Sequence, residues 1–416
     1  MAALALAFSA VNADALPTPT QLPGAGLIRA VSVGTTVTSP NTFYCVQTGG
    51  VGCVAGTGGV NDQIYNGSLS APYFPGSLQL NNAGTVARAV IQWGGFGGSL
   101  ESYNPAGFNI GVNATVYFTS SASVTSAAVL NIDASGNPSQ IFGRLIGTSS
   151  TVFGGGGGAA PAIFVSNANG IIVGPTGQIS SPSGIGLVGA NLNNSTAIFE
   201  FVGNNGAGSP GVYGTSYLDV TGGQSKVEVQ GFIDGGIGPF LSNLPAAYVL
   251  LTGGDVVNSG NIFASGVNVL AGVRAINSTA TVNAISAVTV NRLFDVDAGA
   301  VSVNFNEGAA PGNVEISKAG STFVNTGSVS SKFGVINIEA AGGIRSGTSG
   351  STDPLVGMFA DSGINLDVLE DTGTTALYNV TRGFSTGVTL PYMKINQHTG
   401  WGGDVVIDEL TPGSAP

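Results

Sequence analysis

The stretch that decides the fold is FVSNANGIIVG, residues 164–174, in which two asparagines and a glycine separate two uncharged apolar runs. Asn and Gly tolerate the left-handed backbone of tight corners, whereas β-branched and aromatic residues favour strands. The stretch therefore predicts a strand that ends near Asn167, a corner at Asn169 and Gly170, and a second buried strand that starts at Ile171.

A longer pattern recurs around such corners. Gly-x-Ile/Val-x-Ser/Ala, followed closely by Gly-Ile/Val, occurs as GQISSPSGI (177–185), GNIFASGV (260–267) and GSVSSKFGV (327–335). The first glycines are 83 and 67 residues apart, which predicts four and three coils of roughly 21 to 22 residues, a length typical of stacked solenoid repeats. Asn258 and Asn325 precede two of the copies. This pattern predicts a right-handed parallel β-helix; the alternative is a Gly-rich β-sandwich that produces such matches by chance.

The composition excludes several classes of protein. The 416 residues include 67 Gly and 19 Pro, too many helix breakers for an all-α fold. Hydrophobic residues make up 43% and charged residues only 8%, whereas disordered chains are polar and charged. The net charge of −11 includes only 11 Lys and Arg, spread singly, so no basic stripe is available for nucleic acid.

The N-terminus and the cysteines indicate export. Residues 1–15 contain an apolar segment that ends in a small-residue cleavage pattern at Ala13-Asp14-Ala15, without a basic start, and we interpret them as a signal-peptide remnant; the alternative is a buried N-terminal helix. Cys45 and Cys53 flank a Gly-rich loop, and in an exported protein this spacing predicts a local disulfide, with free thiols as the alternative.

An ordered series of motifs carries a resemblance to a known family. It consists of IQW (91–93), FNIG (108–111), NPSQI (137–141), GRL (143–145) and NANGI (167–171). In this order the motifs resemble the N-terminal secretion domain of filamentous haemagglutinin-type exoproteins, the passengers of two-partner secretion in Gram-negative bacteria. The resemblance is strong over about residues 80–200 and extends more weakly to about residue 345.

The resemblance implies a fold and a route of export. The fold would be an all-β, right-handed parallel β-helix with an N-terminal capping region and extra-helical β-hairpins, divided into a two-partner secretion domain (16–250) and a β-helix continuation (251–416). The chain would leave the periplasm unfolded, bind the periplasmic recognition domains of a dedicated outer-membrane pore protein, and fold outside the cell.

The resemblance also assigns residues to recognition by the pore, with a purely structural corner as the alternative for NANGI. These residues are Asn137, Pro138, Ser139, Gln140, Gly143, Arg144, Asn167, Asn169, Gly170 and Ile171.

The chain departs from the family pattern at several places. Ala168 stands where the family has proline, so one backbone dihedral is less restricted. The five glycines at 154–158, the region around the two cysteines, and the spacer at 94–107 look like insertions.

Two classes of function remain open, and neither is enzymatic. The first is a secreted or surface adhesin that contacts a host or neighbouring cell. The second is a subunit that self-assembles into an extracellular fibre, because few charges protect its strand edges. His398 is the only histidine and lacks a serine-nucleophile motif, and no cofactor or metal site is predicted. Asp295 and Asp297 could share a strand face and bind calcium, but ordinary solvated carboxylates are the simpler interpretation.

Overall fold

The fold is described from a computed structural model of the chain. The described residues are 15–23, 26–31, 35–37, 63–64, 76–82, 86–95, 107–120, 124–149, 158–202, 217–219, 225–236, 247–275, 278–280, 288–290, 293–297, 300–302, 314–348, 356–370, 373–378, 392–397 and 405–408. Residues 1–14, Cys45, Cys53 and His398 lie outside these ranges, so the signal-peptide and disulfide predictions stay predictions. No helix within the described ranges is long and apolar enough to cross a membrane.

The chain winds as a parallel β-helix of successive coils, preceded by four N-terminal strands. These strands are β1 (Gly26–Val31), β2 (Thr35–Val37), β3 (Gln63–Ile64) and β4 (Gly76–Asn82). Coil 1 contains β5 (Val86–Trp93) and β6 (Thr115–Ser120). Coil 2 contains β7 (Ser126–Asp133), β8 (Ser139–Ile141) and β9 (Arg144–Ser149). Coil 3 contains β10 (Ala162–Asn167), β11 (Ile171–Val173) and β12 (Gln178–Ser180).

Coils 4 to 6 include two long departures from the solenoid. Coil 4 contains β13 (Ile185–Val188), α1 (Ser195–Val202), β14 (Tyr217–Asp219), β15 (Val227–Val229) and β16 (Phe232–Gly236). Coil 5 contains β17 (Tyr248–Gly253), β18 (Val256–Asn258) and β19 (Asn261–Ala264). Coil 6 contains β20 (Gly266–Ala271), β21 (Val273–Ala275), β22 (Ser278–Ala280), β23 (Val288–Val290), β24 (Leu293–Asp295), β25 (Ala300–Ser302), β26 (Val314–Ile316), β27 (Thr322–Asn325) and β28 (Ser328–Ser331).

The remaining strands complete three long sheets. They are β29 (Val335–Ala340), β30 (Gly343–Ser346) and β31 (Gly357–Ala360) in coil 7; β32 (Gly363–Val368) and β33 (Thr374–Tyr378) in coil 8; and β34 (Tyr392–Gln397) and β35 (Val405–Asp408) in coil 9. Sheet A has the strand order β3-β1-β5-β7-β10-β13-β17-β20-β29-β32-β34, sheet B β2-β4-β6-β9-β12-β16-β19-β28-β31, and sheet C β35-β33-β30-β27-β18-β15-β11-β8.

Pairing is parallel along the coils and antiparallel at the start. β1 pairs antiparallel with β5, and β2 pairs antiparallel with β4, whereas β5 pairs in parallel with β7, and the parallel pairing continues to β34. The antiparallel strands form the predicted N-terminal cap, and the predicted all-β parallel solenoid is confirmed. The predicted domain boundary after residue 250 lies inside β17, and sheet A continues through it in register.

The interior consists of stacked columns of apolar side chains. In sheet C one such column runs through buried Ile171, Val227, Val256, Phe323 and Ile344, each paired in register with the next. Equivalent columns line sheets A and B and join them into one core. Each fully buried side chain of this kind contributes on the order of 1.5–3 kcal/mol, so every added coil stabilises the one before it.

The coil count predicted from the repeated Gly motifs is wrong. The three copies contain β12, β19 and β28, and only β16 lies between the first two of these strands in sheet B. Thus 83 residues advance the solenoid by two coils and 67 residues by one, instead of four and three. The reason is that the elements α1 and β14, called excursion 1, and the strands β21 to β26, called excursion 2, lie outside the three long sheets, between a strand of sheet A and the next strand of sheet C.

The two excursions meet on the outer face of sheet A. β14 of excursion 1 pairs antiparallel with β24 of excursion 2, which also forms a hairpin with β25. Helix α1 begins after Asn194, whose side-chain oxygen accepts the backbone N–H of Ala197 at 2.8 Å and caps the helix. These elements form a second core with outward-facing residues of sheet A, and its members include Val90, Leu130, Phe164, Ile198, Phe201, Leu218, Tyr248, Leu250 and Phe294.

Candidate functional site

The NANGI segment forms a corner between sheets A and C in coil 3. β10 ends at Asn167, whose side-chain oxygen accepts the backbone N–H of Asn169 at 2.7 Å. Gly170 follows with φ of 108°, and a Cβ there would lie 2.8 Å from the Lys226 carbonyl oxygen of the next coil. The corner thus needs glycine for its backbone conformation and for the close approach of coil 4.

Asn167 joins this corner to the NPSQI segment one coil earlier. Its buried Nδ2 donates to the carbonyl oxygen of Asn137 at 2.8 Å and to Oγ of Ser139 at 2.9 Å. The backbone N–H of Ser139 donates to the carbonyl oxygen of Gly170 at 3.0 Å. Two motifs that are 30 residues apart in sequence are therefore hydrogen-bonded neighbours.

Asp133 anchors the same network, and it is absent from the residues predicted by resemblance. Its carboxylate accepts the Ser139 hydroxyl at 2.6 Å, the Phe108 N–H at 2.9 Å and the Ser135 N–H at 3.0 Å. The chain of bonds from Asn167 through Ser139 and Asp133 to Phe108 links coils 1, 2 and 3. Asp133 pairs with Asn167 in sheet A, so the two residues lie at equivalent corners of neighbouring coils. An alignment of one coil with the next in the sequence could therefore have identified Asp133.

The NPSQI segment also contacts the N-terminal segment of the chain. The Gln140 Nε2 donates to the carbonyl oxygen of Ala15 at 3.3 Å, and its backbone N–H donates to Oδ1 of Asn109 at 2.7 Å. The Gly111 N–H bonds Gln21 O at 2.8 Å, and a Cβ at Gly111 would overlap the Thr18 carbonyl. Residues 15–23 therefore pack against coils 1 and 2.

The GRL segment lies at the following corner, between sheets C and B. The Gly143 N–H donates to Ile110 O at 3.1 Å and the Arg144 N–H to Ala114 O at 3.0 Å. A Cβ at Gly143 would meet the Gly111 and Ala114 carbonyls. The structure thus brings the NPSQI and NANGI segments together, whereas Gly143 and Arg144 lie at a separate corner.

Burial separates the predicted recognition residues into two groups. The exposed group consists of Asn137, Asn169 and Arg144, with Pro138 half-buried. The buried group consists of Ser139, Gln140, Gly143, Asn167, Gly170 and Ile171. Only the exposed group presents side chains that a partner can reach in the folded protein; the buried group holds the corners in place. Ala168, at the position of the family's proline, is also exposed, and its carbonyl accepts the Ser225 hydroxyl.

An ion pair that the sequence did not indicate lies outside these corners. The guanidinium of Arg88 is fully buried on sheet A and pairs with Asp297 of excursion 2, and Ser126 Oγ donates to the same carboxylate oxygen at 2.8 Å. The interpretation of Asp297 as an ordinary solvated carboxylate is therefore wrong. In the part of the chain that the structure describes, no three His, Cys, Asp or Glu side chains are grouped as metal ligands.

Known proteins similar to this chain are found among solved structures. No family model matches the chain, and no curated protein matches it. Among solved structures, the chain is similar to the crystal structure of the HMW1 secretion domain from Haemophilus influenzae, with 18% identity and a TM-score of 0.41, over 80% of this chain and 79% of that one.

Proposed function

We propose that this chain is a secreted or surface-exposed exoprotein of a Gram-negative bacterium, exported by two-partner secretion through a dedicated outer-membrane pore protein. The observation that carries the proposal is the junction of NPSQI and NANGI, where Asn167 bonds both Asn137 and Ser139 at 2.8 and 2.9 Å. The two asparagine-containing motifs that carry the resemblance therefore stack on consecutive coils and share one hydrogen-bond network.

The two groups of motif residues would have different roles in export. The side chains of Asn137, Asn169 and Arg144 are exposed in the folded protein, so the folded corners do not depend on them, and they would contact the periplasmic recognition domains of the pore protein while the chain is still unfolded. Asn167, Ser139 and Asp133 would close the corner once coil 3 packs onto coil 2 outside the cell. Each coil that closes buries apolar area, which stabilises the folded chain by roughly 25 cal/mol per Å². This free energy opposes return of the chain through the pore.

The test is secretion from a Gram-negative host with and without the genetically adjacent pore protein. Asn137→Ala with Asn169→Ala removes two exposed side chains and leaves the buried network intact, so we expect this variant to accumulate in the periplasm. The proposal fails if wild type reaches the medium equally well without the pore.

Buried asparagines supply the control for folding defects. Asn258→Ala removes a buried corner asparagine of the same geometry, whose Oδ1 accepts the Gly260 N–H at 3.2 Å, but it lies far from the motifs. We expect Asn258→Ala to be less stable yet secreted through the pore. If Asn258→Ala and the Asn137→Ala, Asn169→Ala variant accumulate in the periplasm to the same extent, the motif asparagines act in folding and not in recognition by the pore.

Adhesion is the biological role that we propose for the secreted chain, with a host or neighbouring cell as its target. Support comes from the resemblance to haemagglutinin-type exoproteins. Binding of the purified, labelled chain to candidate cells tests this role, with excess unlabelled chain as competitor. Labelled binding that the unlabelled chain does not reduce would reject a specific receptor.

A further inference from the structure

The three strands whose ends hold the motif network also carry the second core on their outer face. β5, β7 and β10 end in register at the corner between sheets A and C, at Trp93, Asp133 and Asn167. Earlier in the same strands, three outward-facing side chains are fully buried in the second core: Val90, Leu130 and Phe164. The segments that cover sheet A therefore pack on the strands that lead into the NANGI corner.

Residues 293–297 of excursion 2, which we call the clasp, contact coils 3 and 5 through aromatic side chains. The ring centroid of Phe294 lies 6.2 Å from that of Phe164 in β10 and 4.9 Å from that of Tyr248 in β17. The Tyr248 hydroxyl also donates to the carbonyl oxygen of Val296 at 2.8 Å. The clasp is thus held by ring packing and by a buried hydrogen bond.

The last residue of the clasp reaches coils 1 and 2. The Asp297 carboxylate pairs with the buried guanidinium of Arg88 in β5 and accepts the Ser126 hydroxyl of β7 at 2.8 Å. Ala30, in strand β1 of the N-terminal cap, packs against the same second core. The clasp therefore contacts coils 1, 2, 3 and 5 and belongs to the core that also holds the cap.

The clasp is distant in sequence from most of what it contacts. Arg88 precedes Asp297 by 209 residues, whereas paired residues of β7 and β10 are 34 apart. Closure of a long flexible loop costs more conformational entropy than closure of a short one, and contacts between distant residues form slowly. Once coils 1 to 5 and β20 have formed, about 20 residues connect the end of β20 to the clasp, so the entropy cost of docking is then smaller.

We propose that the clasp is a strap that closes after coils 1 to 5 have formed and then fixes the N-terminal cap and the strands β5, β7 and β10. Its binding site consists of side chains from four of these coils, so the site does not exist before they fold. One consequence rests on the proposed export route: the outer face of the motif-bearing strands would stay uncovered by the clasp until residue 297 has left the pore. The order of closure is a property of the chain itself.

Refolding of the purified full chain from urea, followed by pulsed hydrogen exchange and mass spectrometry, tests this order. The backbone amides of β11, β15 and β18, in coils 3 to 5, should become protected first. Those of β24 and of its partner β14 should follow roughly tenfold more slowly. Protection of β24 together with the coil strands, or before them, would overturn the proposal.

Phe294→Ala tests the clasp directly, because it removes the ring that packs on Phe164 and Tyr248. The late phase should slow or disappear while the early phase is unchanged, and in the folded variant the amides of β7 and β10 should exchange roughly fivefold faster. Phe323→Ala is the matched control, since Phe323 is also fully buried but lies in the solenoid core of coil 6. Equal slowing of the late phase by both variants, or an unchanged late phase in Phe294→Ala, would contradict the proposal. These measurements use purified protein, so their outcome is separate from that of the export experiment.

Discussion

Asn258 and Asn325 hold successive coils together at the corner between sheets C and B. The Asn258 Nδ2 donates to Asn325 Oδ1 at 2.8 Å, and the Asn325 Nδ2 donates to Ser346 Oγ at 2.9 Å and to Gly357 O at 3.1 Å. Both side chains are fully buried in register. A buried amide is favourable only when its hydrogen bonds are made, and this ladder makes them between coils.

Asn325→Ala should therefore destabilise the protein more than a typical surface change. The substitution leaves Asn258 without one acceptor and removes two donated bonds, and we expect a loss of about 2 to 3 kcal/mol in unfolding free energy. Urea unfolding followed by circular dichroism measures the loss. Asn261→Ala, at an exposed position of β19, is the control and should change stability by less than about 0.5 kcal/mol.

Glu228 is a second residue whose environment can be tested, through pH. Burial raises the pKa of Glu228, but hydrogen bonds from Lys226 and Gln230 and the charge of Lys226 outweigh it, so the pKa lies below its usual value of 4.5. Lys226 Nζ lies 2.6 Å from the carboxylate and its side chain is half-exposed, so solvent screens the pair.

A lowered folded-state pKa means that the stabilisation is present above pH 4.5 and is lost as pH falls through the lower, folded-state value. Glu228→Gln should reduce the unfolding free energy by less than about 1 kcal/mol at pH 7. The difference from wild type should shrink below about pH 4. A difference that stays constant from pH 7 to pH 3 would contradict the lowered pKa.

At the scale of elements, an ion pair ties excursion 2 to the first coil. Arg88 in β5 and Asp297 after β24 are 209 residues apart, and the Arg88 side chain is fully buried while that of Asp297 is 36% exposed. Arg88 Nη2 also donates to Ser126 Oγ at 2.9 Å, and Nη1 to Ala87 O at 3.0 Å. Removal of the carboxylate would leave a buried cation with fewer compensating contacts.

Asp297→Ala should lower the unfolding free energy by about 3 kcal/mol, because the Arg88 charge loses its carboxylate. The double variant with Arg88→Met should recover part of that loss, since the buried charge is then gone. Limited proteolysis near residues 293–297 and denaturant unfolding provide the measurements. Equal stability of the single and double variants would show that the buried charge is not the cause.

At the scale of the whole molecule, two cores have different origins. The solenoid core joins residues of neighbouring coils, whereas the second core joins α1, β14 and β24 to the outer face of sheet A. Phe294 lies at its centre, with ring centroids 4.9 Å from Tyr248 and 6.2 Å from Phe164, and Tyr248 also bonds Val296 O at 2.8 Å. In the proposed export route, coils 1 to 5 would emerge before residues 293–297 cover them.

Phe294→Ala should loosen the excursions and leave the coils folded. Loss of a buried phenylalanine costs about 3 to 5 kcal/mol, and this cost falls on the second core. Hydrogen exchange read by mass spectrometry should show reduced protection in α1, β14 and β24, with unchanged protection in β11, β18 and β27. Uniform loss of protection across all of these elements would mean that the two cores unfold as one unit.

The sequence by itself determined the parallel β-helix and the corner at Asn167 to Ile171. Both follow from local patterns: alternate apolar residues mark half-buried strands, and Asn and Gly mark the corners between them. It also placed the three Gly motifs at equivalent strands of sheet B. These features repeat from coil to coil, so a short window of sequence contains them.

Only the tertiary structure decided the number of coils, the cover on sheet A, and which motif residues stay exposed. Outward-facing apolar residues such as Val90, Leu130 and Phe164 make their strands continuously apolar, which indicates burial on both faces but not what covers them. The cover comes from residues up to 209 positions away. No local pattern encodes such a contact, because it depends on how two excursions of different length meet in space.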